Sequence, residues 1–149
     1  MSNAFWWGTF FWKFFHIFSL LYPDNPSLDD KNHARNFVKN ITYIIPCPSC
    51  ARHFRNNLKK INLENFINCQ KDFIIFFFDL HNTINKFLKK NTYNYNNCMQ
   101  FISEFILEGN ILFHFGNIKN FIKKNRNIHN KNIFFNSVQH FFSIYNINI

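Results

Sequence analysis

Apolar residues recur along this chain at intervals of three and four, and no stretch alternates in the two-residue rhythm of a strand. Trp7, Phe11, Phe14, Phe15 and Phe18 set the pattern: a first helix from about Phe5 to Leu21, stopped by Pro23 and Pro26. No Asn-Gly pair is present to close a hairpin. The spacing therefore restricts the fold to packed helices.

The same reasoning places four further helices. Ser27-Leu28-Asp29-Asp30 reads as a cap with an acidic first turn, opening a helix to about Thr42 whose buried face is Ala34, Phe37, Val38 and Ile41. Pro46 breaks the chain, and Pro48 suits the first turn of a third helix running to about Lys60. A fourth runs from Asp72 to about Lys89, with Phe73, Phe77, His81, Ile84, Asn85 and Leu88 on its inner stripe. A shorter fifth spans about Asn97 to Leu107. Beyond residue 108, the runs Ile111 to Phe115 and Phe134 to Phe142 are apolar enough for one or two more helices, separated by the basic stretch Lys123 to Asn132. The expected architecture is all-α: a four-helix bundle with a short fifth helix (residues 1–107) and a helical C-terminal extension (108–149).

Composition narrows the function. The 149 residues suit a chain able to bury about two-thirds of its extended surface. Phe, Ile, Asn and Lys dominate and Gly numbers only 3, a bias shared by A/T-rich codons, so the Asn excess carries no separate message. The net charge of +9 comes from scattered lysines in short groups rather than a stripe interleaved with stacking aromatics. A solvated basic face is expected, with no nucleic-acid partner. The run Ala4 to Tyr22 is interrupted by Lys13 and His16, follows no basic segment and precedes no small-residue cleavage site, so neither a signal peptide nor a membrane span is expected. A cytoplasmic setting is the default.

Chemistry concentrates at Cys47-Pro48-Ser49-Cys50. The prolines set Cys47 at a helix start, where unpaired N–H groups favour a thiolate, and Cys50 one turn in. By itself such a pair suits a redox dithiol, a zinc site completed through His53, or coincidence. The rival reading is a non-catalytic helical module that binds zinc or a partner through Cys47, Cys50 and His53, but zinc lacks a second CxxC or HxxxH here. A thioredoxin-like reductase needs a βαβ core that the periodicity does not offer.

The flanks are more specific. Gly8, Trp12, His16 and Tyr22-Pro23 upstream, and His81-Asn82-Thr83-Ile84-Asn85 with Lys90 downstream, resemble in order and spacing the FAD-linked sulfhydryl oxidases of the Erv/ALR family over about residues 5–106. With its compact N-terminus and A/T-biased composition, the chain resembles the shortened oxidases of large DNA viruses. The resemblance implies a helical bundle holding FAD without a glycine-rich dinucleotide loop. It implies Cys47 as the outer cysteine exchanging with a protein dithiol, which a thioredoxin-like carrier could present, and Cys50 as the inner one passing electrons to FAD. Molecular oxygen is the implied acceptor, giving hydrogen peroxide. Gly8, Thr9, Trp12, His16, Tyr22, His81, Asn82, Asn85, Lys86, Lys90 and Phe105 are the implied cofactor-binding residues, and no metal is implied. The host cytoplasm or a virion is favoured over the mitochondrial intermembrane space. A homodimer is also implied, and the surplus of Phe on the early helices permits one.

Two departures stand out. Where the family often has a cysteine three residues before the His-Asn pair, this chain has Phe78, so Cys98 is expected to lack a disulfide partner. The family Trp seven residues after that second cysteine falls on Phe105. Cys69 and Cys98 are expected to be free or buried.

Overall fold

The computed structural model describes residues 4–124 and 131–148, which form helices and turns with no strand among them. The helices are α1 (Ala4–Phe18), α2 (Leu28–Asn40), α3 (Pro48–Leu58), α4 (Gln70–Phe87), α5 (Cys98–Glu108), α6 (Ile111–Lys124) and α7 (Lys131–Ile144). Short 3₁₀ turns follow α1 and α2 and precede α4 and α5. The extension thus supplies two helices. Part of its basic link, residues 125–130, and the side chain of Trp7 lie outside the described residues. No described helix is long and apolar enough to cross a membrane.

Local chemistry fixes the ends. Ser27 and Asp30 form the capping box of α2, the Asp30 N–H donating to Ser27 Oγ (3.1 Å) and the Ser27 N–H to Asp30 Oδ2 (2.9 Å). Helix α4 begins two residues earlier than its periodicity suggested, because Cys69 is extended (φ −159°, ψ 170°) and serves as the N-cap. It ends when Lys89 turns left-handed (φ 57°), which lets the Lys90 N–H reach the Asn85 carbonyl (2.8 Å) in a Schellman closure.

Packing centres on α1. Phe18 stacks on Phe37 of α2 at 4.1 Å, and Phe15 meets both Phe37 and Phe77 of α4. On its other side Phe14 packs against Phe115 and Phe134, Phe11 against Phe121, and Phe18 against Phe141. Those partners belong to α6 and α7, so the extension shares the main core. Each fully buried Phe stabilises the fold by about 2–3 kcal/mol, and a well-placed ring pair adds about 0.5–1.5 kcal/mol. Phe11, Phe14, Phe15 and Phe18 of α1 are thus covered from within the same chain.

Helix α4 is buried on more than one stripe. Phe76, Phe78 and Leu80 join Phe73 and Phe77 in full burial, whereas Leu88, expected inside, is 39% exposed. Its neighbours α1, α3 and α5 contact it from several sides. Phe78 and Cys98 come together with Ile17, Ile74 and Ile102 in a second apolar cluster. A ring and a thiol thus share the region where the family resemblance places a disulfide.

If the extension is part of the core, Phe134→Ala should cost about 3–5 kcal/mol in denaturant unfolding, comparable to Phe37→Ala in the bundle. A loss below about 1 kcal/mol would make α7 peripheral.

Candidate active site

The start of α3 shapes the cysteine pair. With Pro48 at the first helical position, Cys47 stays extended (φ −101°, ψ 117°) and is the N-cap. Its Sγ accepts the Cys50 N–H at 3.3 Å and lies 3.0 Å from Ser49 Oγ. Hydrogen bonds from the Cys50 thiol and the Ser49 hydroxyl hold the Cys47 thiol below its ordinary range, while burial pushes Cys50 up to about 11. Of the two, Cys47 is the more readily deprotonated and Cys50 the less so. Both are thiols here.

Cys50 lies on the wall of a cavity of about 550 Å³, within the range typical of ligand pockets. Helix α1 contributes Gly8, Thr9, Trp12 and Lys13; α3 contributes His53 and Asn57; α4 contributes His81, Ile84 and Asn85. Lys90 and Tyr93 from the α4–α5 loop, and Phe101 and Phe105 from α5, complete it.

The cavity is built around a ring stack. Trp12 lies flat on His81, with centroids 4.0 Å apart and planes within 5°. Behind them His16, fully buried, places Nε2 3.0 Å from His81 Nδ1. His16 Nδ1 is buried without a hydrogen-bond partner. A buried acceptor in that position is cheaper than a buried donor, which puts the proton on His16 Nε2 and makes His81 Nδ1 the acceptor. The His81 proton then sits on Nε2. Burial, with the Lys90 charge adding to it, holds His81 down to about 3, and burial keeps His16 well below its ordinary value, so both rings are neutral.

Asn82 faces the loop instead. Its amide donates to the Tyr93 carbonyl (2.9 Å) and its Oδ1 accepts the Tyr93 N–H (2.8 Å), clamping that backbone as a strand partner would. Tyr93 is thereby held 5.0 Å from the His81 ring and 4.4 Å from Phe101. Phe105 packs edge-on to Phe101 at 4.5 Å, with the Lys13 ammonium 5.8 Å from its centroid.

Of the residues singled out in the sequence, Gly8, Thr9, Trp12, Cys50, His81, Asn85, Lys90 and Phe105 line this one cavity. Cys47 stands outside it at the helix start, and His16 and Asn82 act behind the wall. Two are elsewhere. Tyr22 is buried against Phe73, its hydroxyl donating to the Ile67 carbonyl at 2.7 Å, and Lys86 is exposed. Sequence reasoning missed His53 and Asn57 as cavity residues, although they fall three and seven positions after Cys50 on one helical face. Tyr93 and Phe101 gave no such signal. The His53 ring packs on Phe87 at 4.7 Å. Among the described residues, His53 forms no metal-competent group with the cysteines.

The lining suits a flat, partly charged ligand: aromatic planes, the carboxamides of Asn57, Asn85 and Asn91, an imidazole N–H, and the ammonium groups of Lys13 and Lys90. These residues fit FAD, whose fused ring and pyrophosphate call for the same set.

Comparison with known proteins bears on the same region. The model of the Erv1 / Alr family matches residues 9–105. Protein 096R of Invertebrate iridescent virus 3 is 31% identical over 84 residues, covering 56% of this chain and 57% of that protein. The chain thus spans little more than half of that relative. An FAD-linked sulfhydryl oxidase of African swine fever virus (isolate Pig/Kenya/KEN-50/1950) is 28% identical over 102 residues, covering 68% of this chain and 84% of its own length. The crystal structure of the yeast Erv1 core superposes with a TM-score of 0.58 at 21% identity, covering 66% of this chain and 81% of that one, a likeness of fold.

The neutral histidines make the fold sensitive to acid. His81 ionises near 3 when folded and near 6.5 when exposed, so the unfolded chain binds the extra proton between those values. Stability is intact above about pH 6.5 and falls as pH drops toward 3. The melting midpoint should decline across that window, and His81→Gln should flatten the decline. Equal slopes in both proteins would refute the assignment.

Proposed function

This chain belongs to the Erv1 / Alr family, and on that premise we propose that it is an FAD-linked sulfhydryl oxidase acting on protein dithiols. One observation carries the reading: Cys50 opens onto an aromatic, cation-edged cavity while Cys47, one helical turn away, faces outward from the helix start. The proposed cycle begins with a substrate thiolate attacking Cys47 Sγ in the Cys47–Cys50 disulfide. A mixed disulfide forms and Cys50 leaves. A second substrate thiolate then attacks the substrate sulfur of that bond, expelling Cys47 and leaving the pair as a dithiol. Cys47 is suited to that departure, since a thiol of lowered pKa is the better leaving group. FAD, when bound, supplies the two-electron acceptor that restores the disulfide and delivers the electrons to oxygen as hydrogen peroxide.

The chain's own residues position and shield. Gly8, Thr9, Trp12 and His81 are proposed to hold the ring system, His81 donating through Nε2. Asn85 and Lys90 are proposed for the phosphates, and Phe105 for stacking at the rim. His16 and Asn82 are positioning residues, acting through His81 and Tyr93. Tyr22 has its hydroxyl committed to Ile67 and is better assigned to the core. The substrate is proposed to be a protein dithiol, possible carriers including a thioredoxin-like protein, and the setting the cytoplasm of a cell or host. A homodimer remains a proposal, drawing on apolar residues left outside, such as Leu107 (88% exposed) and Phe113 (52%). The division at 107/108 is proposed as a boundary of function and not of packing, since one core runs across it.

The purified chain should be yellow, keep its flavin absorbance through desalting, and consume oxygen when given a dithiol. A colourless protein carrying one zinc per chain that is lost in the double variant Cys47→Ser/Cys50→Ser would overturn the oxidase reading. Cys47→Ser should lower turnover on protein dithiols at least about a hundredfold while flavin is retained. Full activity in Cys50→Ser would reverse the assignment of the inner cysteine.

A further inference from the structure

Outside the cavity, α2 and α7 meet through a cluster that the oxidase reading does not use. Asp29 and His33 lie one turn apart on α2, and His140 reaches them from α7. The two imidazoles stack with centroids 3.6 Å apart and planes within 10°. Each ring turns a nitrogen to the same carboxylate. His33 Nε2 is 3.7 Å from Asp29 Oδ1, and His140 Nδ1 is 3.9 Å from Asp29 Oδ2. The three candidate ligand atoms lie within 4.8 Å of one another.

We propose that Asp29, His33 and His140 form a binding site for a divalent transition-metal ion, which fastens the C-terminal helix to the bundle. The second layer supports this. Asp30 Oδ1 lies 3.0 Å from His140 Nε2 and accepts its proton, which leaves the lone pair of His140 on Nδ1, the nitrogen facing Asp29. Asp30 is itself fixed, because its other oxygen accepts the Ser27 N–H in the capping box. A carboxylate that orients an imidazole through its far nitrogen is the arrangement metal-ligating histidines ordinarily have. In a tetrahedral zinc site with bonds of about 2.0–2.2 Å, ligand atoms stand about 3.3 Å apart; atoms now within 4.8 Å of one another would close on the ion, and the stacked imidazoles would turn out of parallel to bring their in-plane lone pairs onto it. Asp29, 72% exposed, leaves a solvent-facing position open for water as fourth ligand. Two imidazoles and one carboxylate suit zinc, nickel or copper rather than magnesium or calcium.

The geometry also says what binding would do. Two ligands come from α2 and the third from α7, beyond the family-matched residues 9–105. An ion would be a cross-link between the bundle and the extension, and would stabilise only the state in which the two are docked.

Chelator-treated, full-length protein, otherwise intact with its flavin, is titrated with zinc chloride. Binding is followed calorimetrically, docking of α7 by amide hydrogen exchange over residues 131–144. The cysteine pair is a competing zinc ligand, so the double variant Cys47→Ser/Cys50→Ser is measured alongside. One zinc per chain should bind in both proteins and slow exchange in α7 at least threefold. His140→Gln, and the exposed Asp29→Asn, which removes no buried contact, should each weaken binding at least tenfold and abolish the added protection. Zinc binding that vanishes in the cysteine variant yet survives in Asp29→Asn and His140→Gln would overturn the proposal. So would an unchanged exchange rate in α7 at saturating zinc.

Discussion

The molecule depends on the burial of α1 from nearly every side. Phe11, Phe14, Phe15 and Phe18 reach α2, α4, α6 and α7, while Trp12 and His16 on the same helix reach His81. Interiors this dense transmit displacement rather than absorb it. A shift in α1 large enough to reseat Phe15 on Phe37 would carry Trp12 off the His81 ring. Core and cavity share one register.

The cavity's polar atoms are arranged in two layers, and the outer layer is held by the inner. His81 presents its imidazole because His16 fixes the tautomer from behind, and Tyr93 presents its ring because Asn82 grips the backbone. Both inner residues are shielded from water, where an unmet hydrogen bond is expensive and the geometry is correspondingly firm. The cysteines obey a related logic. Proline placement decides which sulfur caps the helix, the cap gathers hydrogen bonds, and burial raises the other.

Much of this was legible in the sequence because it depends on short-range spacing. Ser27 with Asp30, the prolines around Cys47, and the Trp12/His16 and His81/Asn85 pairs each report a helical face or end, and each is where its spacing put it. What escaped was long-range. Tyr22 reads as one of a set with Trp12 and His16 until the Ile67 carbonyl, 45 residues on, takes its hydroxyl. Asn82 reads as a ligand residue until Tyr93 folds back onto it. Periodicity finds one buried stripe per helix, so the wider burial of α4 could not be seen without knowing that α1, α3 and α5 surround it. Spacing along α1 could not say what its buried aromatics pack against, because two of their partners, Phe115 and Phe134, stand about a hundred residues away.

Phe78 has a consequence for how such a protein comes into being. It shares an apolar cluster with Cys98 where the family resemblance calls for a covalent cross-link, and a phenyl ring needs no oxidant to take its place. That part of the core can therefore close as soon as the helices meet, by exclusion of water alone, with no covalent step between folding and a finished scaffold there.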